Sequence, residues 1–177
     1  VMQHGRFSGE QFVVNKGSEG LNITLMSRSG VLPEADFYCP IPYEPLSVLT
    51  ESVAESEIAK GPDGLLDRIF ALMVKELELA DPRWCQAIAI GTLNADTLRD
   101  VWFEDRKKHG PFTWAEANLK EVERNKCEKR TVAWRYTVLR LHEVVQAIVP
   151  SLNERDRERF KSGLESVFID NYAAIPP

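Results

Sequence analysis

The sequence predicts a mainly helical protein: a bundle of about six helices, preceded by a small β-hairpin and an extended, proline-rich arm. Three observations predict it. From residue 46 onward, apolar residues recur at three- and four-residue spacing, the period of helices with one buried face. Residues 1–45 instead hold nine of the twenty glycines and prolines. The 177 residues are 44% hydrophobic and 28% charged, the balance of an ordinary globular domain that can bury a core without a metal or a disulfide. The expected organisation is one domain in two parts, hairpin and arm over 1–45 and helical bundle over 46–177.

Within the first part, Gln11-Phe12-Val13-Val14 and Leu21-Asn22-Ile23-Thr24-Leu25 have strand composition, with turn chemistry from Asn15 to Gly20 between them. A hairpin of these two strands follows. In Phe37-Tyr38-Cys39-Pro40-Ile41-Pro42-Tyr43-Glu44-Pro45 the prolines block helix and hold their predecessors extended. Such an aromatic arm needs a groove, on the bundle or on a neighbouring chain.

Leu46, Leu49, Val53 and Ile58 predict a first helix ending at Gly61. A second is capped by Asp63 and carries Leu65, Leu66, Ile69, Phe70, Met73 and Leu77 on one stripe. Asp81-Pro82, a cap and then proline at the first helical position, opens a short third helix through Trp84, Cys85 and Ile88. Its apolar run makes it the candidate for the most buried helix. Asn94 or Asp96 starts a fourth, ending on Arg106, Lys107 and Lys108, where cations complement the helix dipole.

Thr113-Trp114-Ala115-Glu116 matches a capping box, and no glycine or proline follows until Pro150. One long helix over 114–149, about 54 Å at 1.5 Å per residue, is the direct reading. Trp134, Val138, Leu141, Val145 and Ile148 form a 4-3-4-3 seam in its second half. Its first half breaks that register, which implies projection into solvent or a kink. Ser151-Leu152-Asn153-Glu154, a second capping box, opens the last helix with Phe160, Leu164, Val167 and Phe168 inward.

Catalytic patterns are sparse. The sequence has no phosphate-binding Gly-x-x-x-x-Gly-Lys and no Gly-x-Ser-x-Gly elbow. His142-Glu143 begins a zinc-protease pattern, but Gln146 stands where the second histidine belongs. Neither a cofactor nor a metal is implied. Asp96, Asp100 and Glu104 recur at four-residue spacing, so a metal-dependent enzyme using that face is one reading. Basic neighbours make a solvated face the simpler one.

Cys39, Cys85 and Cys127 are too far apart for a zinc knuckle, and an odd count cannot close completely into intrachain disulfides. Free thiols, together with no signal-peptide pattern, point to a reducing, cytoplasmic setting. Cys85 reads as core, whereas Cys127 has Lys126, Lys129 and Arg130 close by. No apolar run approaches the ~20 residues that cross a bilayer. Val1-Met2 and Ile175-Pro176-Pro177 read as processing boundaries of a longer chain.

The net charge of −5 disfavours a protein built to grip nucleic acid. Residues 1–62 carry −4 and residues 113–177 carry +1. Lys120, Arg124, Lys126, Lys129, Arg130 and Arg135 would lie on one helix and supply phosphate contacts if nucleic acid were the partner. Four tryptophans, Trp84, Trp102, Trp114 and Trp134, read as core, with Trp114 the exception at the first turn of its helix.

With no convergent catalytic set, the leading expectation is a non-enzymatic interaction or assembly domain whose partner is another protein or a copy of itself. Phe37, Tyr38 and Tyr43 of the arm, with Trp114, Val122 and Cys127 of the long helix, are the candidate contacts. The alternative is a helical sensor or regulatory domain that encloses a small ligand between its helices.

Overall fold

The structure, a computed structural model, describes residues 5–8, 11–17, 20, 32 and 34–172. The chain forms two compact units, Val1–Gly30 and Val31–Pro177. In the first, β1 (Gly5–Ser8) runs antiparallel to β2 (Gln11–Val14), with Ser8 opposite Gln11 and Gly5 opposite Val14. Gln11–Val14 is therefore a strand, but its partner precedes it in the chain. Residues 21–25, the expected partner, lie outside the described residues. Strands so close in sequence pair with little loss of chain entropy.

In the second unit, the arm from residue 34 to residue 50 is extended and lies on the helical body. Phe37 is buried with Tyr136 and Leu139, and Cys39 packs on them. Further along, the buried carboxylate of Glu76 accepts hydrogen bonds from three consecutive amides: Ser47 N at 2.9 Å, Val48 N at 2.5 Å and Leu49 N at 3.1 Å. Leu46 and Leu49 thus belong to the arm. The first helix, α1 (Glu51–Ala59), starts after them, with Thr50 Oγ1 accepting from Val53 N.

Helix α2 (Leu65–Ala80) buries the whole predicted stripe. It starts after Gly64, whose φ of 65° ends the preceding turn, rather than on Asp63. Its early amide at Leu66 is met from outside, by Asp156 Oδ2 at 3.4 Å. In α3 (Pro82–Ala87) the Asp81 cap is present, accepting from Trp84 N at 3.0 Å. Cys85 alone of its residues is buried, because Ala89 at φ 52° breaks the apolar run into a tight turn at Ile90–Thr92. Asn94 Oδ1 then accepts from Asp96 N and Thr97 N, just ahead of α4 (Leu98–Lys108).

The long helix over 114–149 is two helices, α5 (Pro111–Cys127) and α6 (Ala133–Ile148). The break is a Schellman motif made without glycine. Lys129 takes the left-handed conformation at φ 51°, Arg130 N donates to Asn125 O at 2.8 Å, and Lys129 N donates to Lys126 O at 3.2 Å. β-branched Thr131 and Val132 follow, and Val132 is extended. Thr113 is not the cap of α5. Pro111 occupies the first turn instead, where its fixed φ and missing N–H fit.

Likewise Asn153, not Ser151, caps α7 (Glu154–Ser162), accepting from Asp156 N at 2.8 Å. The last predicted helix also divides, at Gly163, into α7 and α8 (Leu164–Tyr172). A Cβ on Gly163 would stand 2.6 Å from Ala95 O, so the chain crosses there at backbone contact. The described residues thus form a bundle of eight α-helices rather than about six.

The core centres on α6, packed against α2 and α8. Of the predicted seam, Val138, Leu141, Val145 and Ile148 are all buried, which makes α6 and not α3 the most buried helix. Among the described residues no helix is long and apolar enough to cross a membrane.

Candidate functional site

Three helices bring their tryptophans together. Trp84 of α3 and Trp134 of α6 stack with ring centroids 4.6 Å apart and planes 5° from parallel. Trp102 of α4 meets both edge-on, at 5.9 and 4.9 Å. This is the geometry that the ring quadrupoles favour for a three-ring cluster.

Against the indoles lies a layer of buried charge. Arg106 of α4 and Arg135 of α6 are 4% and 3% exposed, and Glu34 of the arm bridges them. Its Oε1 is 3.1 Å from Arg106 and its Oε2 3.1 Å from Arg135. Asp170 of α8 takes the remaining face of Arg106 through both carboxylate oxygens and also accepts from Trp102 Nε1 at 3.1 Å. Two cations and two carboxylates balance, as removal from water requires. Arg106 also lies over the Trp114 ring at 4.9 Å, and Arg135 over the Phe37 ring at 4.3 Å.

The pairing is uneven. Burial pushes the Glu34 carboxyl above its ordinary range, and Arg135 and Arg106 pull it back only in part. Burial similarly holds Arg135 below its usual value. For Arg106 the cost of burial is outweighed by the hydrogen bonds and charge of Asp170, with Glu34 adding to them. Arg106–Asp170 is the satisfied pair, and Glu34–Arg135 the one that burial penalises. Among the described residues, Arg135 Nε is buried without a hydrogen-bond partner.

Asn118 of α5 fastens the arm here. Its Oδ1 accepts from Ala35 N at 2.8 Å and its Nδ2 donates to Glu34 Oε2 at 3.1 Å. Arg135 completes the grip by donating to Ala35 O at 3.1 Å. Beside this layer, between α5 and α6, opens a cleft of about 540 Å³ whose lining includes Glu34, Trp114, Asn118, Val122, Asn125, Trp134 and Arg135. A smaller cavity of about 170 Å³ continues under the tryptophans. The cleft has apolar walls, amide groups and a few charged or titratable side chains, Glu34, Glu121, Arg135 and His109, which is the chemistry of a small-molecule site.

A family model for the YdhS-like middle domain matches residues 50–172. The chain belongs to that family. It is 60% identical over 181 residues to the uncharacterized protein YdhS of Escherichia coli (strain K12), an alignment covering 99% of this chain and 34% of that protein. The chain thus spans about a third of the length of that relative. No solved structure matches it. In this YdhS-like domain, Arg106, Asn118, Arg135 and Asp170 fall within the family match, whereas Glu34 precedes it.

The residues singled out from sequence fall in several places. Of the six candidate contacts, Phe37 and Val122 are buried within the unit. Tyr38 is half-buried, and Tyr43 packs edge-on to Tyr136 with centroids 6.1 Å apart. Trp114 borders the cleft and Cys127 is exposed. The six basic residues do not share a helix: Lys120, Arg124 and Lys126 are on α5, Lys129 and Arg130 in the break, and Arg135 on α6. Lys120 pairs with Glu116 and Arg130 with Glu128, while Arg135 is buried and paired with Glu34.

Asp96, Asp100 and Glu104 do not form one helix face. Asp96 precedes α4 and binds Arg159 at 2.8 Å, Glu104 pairs with Lys108 at 2.9 Å, and Asp100 is exposed. Among the described residues no group of three or more His, Cys, Asp or Glu is disposed to hold a metal ion. Cys85 is buried, and its thiol is pushed up to about 11, chiefly by desolvation. Its place in the core matches the sequence reading.

Sequence reasoning missed Glu34, Asn118 and Asp170, and read Arg106 only as a helix-end cation. Two signals pointed to them. Arg135 directly follows the seam residue Trp134, and Glu34 is an acidic residue just ahead of an aromatic segment that needs burial.

Proposed function

We propose that this unit is a non-enzymatic, ligand-binding regulatory domain within a longer protein, and that the cleft between α5 and α6 receives a small organic molecule. The observation that carries the reading is the cleft itself: about 540 Å³, walled by Trp114 and Trp134, beside a fixed ionic layer. Pockets of roughly 300–1,000 Å³ with apolar walls and a few set polar groups suit ligands of drug or metabolite size. The arm argues in the same direction, because its anchor Phe37 is spent on the unit's own helices.

The test is titration with N-phenyl-1-naphthylamine, an uncharged probe whose emission rises in apolar clefts. Saturable binding that is lost in Val122→Trp, which fills the cleft, supports the reading. Binding that is absent, or unaltered in that variant, overturns it.

A second reading, contact with another protein, is favoured by one observation. Phe112 and Leu119 of α5 are 67% and 52% exposed and seven residues apart, so they share a helix face. Of the two residues that the sequence suggested on this helix, Val122 is buried and Cys127 is exposed. Light scattering of the wild type and of Phe112→Ser/Leu119→Ser decides it: a larger mass only in the wild type supports self-association, and equal monomer masses remove it.

A further inference from the structure

The arm presents Glu34 to the helical body much as a ligand would present a carboxylate. One oxygen meets Arg106 and the other meets Arg135 and Asn118, while the neighbouring residue Ala35 is held at both its N–H and its C=O. Without Glu34, the buried layer holds two guanidiniums and one carboxylate, Asp170, with Glu121 of the cleft wall a weaker influence on Arg135 than Glu34 or Asp170. Water cannot easily repair that deficit, because both guanidiniums are almost fully buried. The cleft reaches this charge, with Arg135 and the indole of Trp134 both in its wall.

Two further observations favour an external ligand. Arg135 Nε has no hydrogen-bond partner among the described residues although it is buried, so this guanidinium is not saturated by the arm. The buried amide side chain of Asn125 and that of Asn118 lie along the same wall. An anion with a planar apolar body would place its charge at Arg135 and its ring among Trp114, Trp134 and Val122.

Resting on the ligand-binding reading above, we infer that the cleft is specific for small amphipathic carboxylates, and that Glu34 is a built-in competitor occupying their anion position. A ligand carboxylate replaces the Glu34 carboxylate on Arg135 and keeps the layer neutral. The segment around Glu34 and Ala35 is then released from Arg135 and Asn118. Binding at the cleft thereby becomes a change in the arm.

The experiment compares 2-naphthoate with 2-naphthamide, its uncharged isostere, by quenching of tryptophan emission in the whole chain. Naphthoate should bind at least about tenfold more tightly than the amide, a difference of about 1.4 kcal/mol. Glu34→Gln should tighten naphthoate binding by a further tenfold or so and leave the amide unchanged. Asn118→Leu, which removes the amide's hydrogen bonds to Ala35 N and Glu34 Oε2 but keeps the Glu34 carboxyl group, should act in the same direction and serves if Glu34→Gln does not fold.

Equal binding of acid and amide, with no effect of either variant, overturns the inference while leaving the cleft as a ligand site. No binding of either compound, together with no binding of the uncharged naphthylamine probe, overturns both. Tighter binding of naphthoate that neither variant alters removes the competitor role and with it the inference.

Discussion

Trp84 and Trp134, fifty residues apart in sequence, stack face to face at 4.6 Å and join α3 to α6. Stacked rings of this kind contribute about 0.5–1.5 kcal/mol beyond the area they bury. Trp134 also borders the ligand cleft, so the same ring serves the fold and the site.

Trp134→Ala should therefore cost roughly 3 kcal/mol in urea unfolding, within the range for removing a large aromatic side chain. The coupled near-ultraviolet dichroism of the indole pair should disappear with it. A loss under about 1 kcal/mol, with that signal retained, would show that the stack does not hold α3 to α6.

Glu34 gives the site a pH dependence of defined sign. Burial raises its carboxyl pKa above the ordinary 4.5, so between these two values the folded chain binds more protons than the unfolded one. The contribution of Glu34 to stability is complete below 4.5 and declines as pH rises through the raised value. Melting temperatures of the wild type and Glu34→Gln, compared at pH 7 and then at steps down to pH 4.5, should show the wild type gaining on the variant. A constant gap, or one that moves the other way, contradicts the assignment.

Gly163 should not accept a side chain. Gly163→Ala would set a methyl group 2.6 Å from the carbonyl oxygen of Ala95, a fixed backbone atom, and 3.2 Å from Arg159 O. Relief requires α7 and α8 to shift against the segment before α4, at a cost of roughly 2–3 kcal/mol. Thermal unfolding checks it, and an unchanged midpoint would mean that the crossing is looser than described.

Lys129 is the opposite case. It holds a left-handed conformation that costs a non-glycine residue roughly 1 kcal/mol, and its side chain is exposed. Lys129→Gly should stabilise the domain by about 0.5–1 kcal/mol in urea unfolding. Destabilisation of similar size would show that the lysine side chain contributes what the backbone loses.

The helical bundle was legible because burial follows period. The stripes from Leu65 to Leu77 and from Val138 to Ile148 read directly as buried faces, and both are buried. Helix boundaries were less legible, because several signals compete at each. Pro111 displaced the Thr113 capping box, and Lys129 ended α5 with no glycine to announce it. The candidate site was the least legible. Glu34, Arg106, Asn118, Arg135 and Asp170 come from five separate segments, and no local pattern tells a buried ion pair from a solvated one. Arg135 shows this most sharply: as a cation on a helix it suggested phosphate contacts, yet it is 3% exposed and already paired.

Glu76 carries one more consequence. Ser47, Val48 and Leu49 belong to no helix or strand, yet all three of their amides end on one buried carboxylate of α2. An irregular segment ordinarily trades its amide protons with solvent almost freely. Here the exchange of those three protons is tied to the opening of α2, so a deuterium label should enter them as slowly as it enters the middle of that helix.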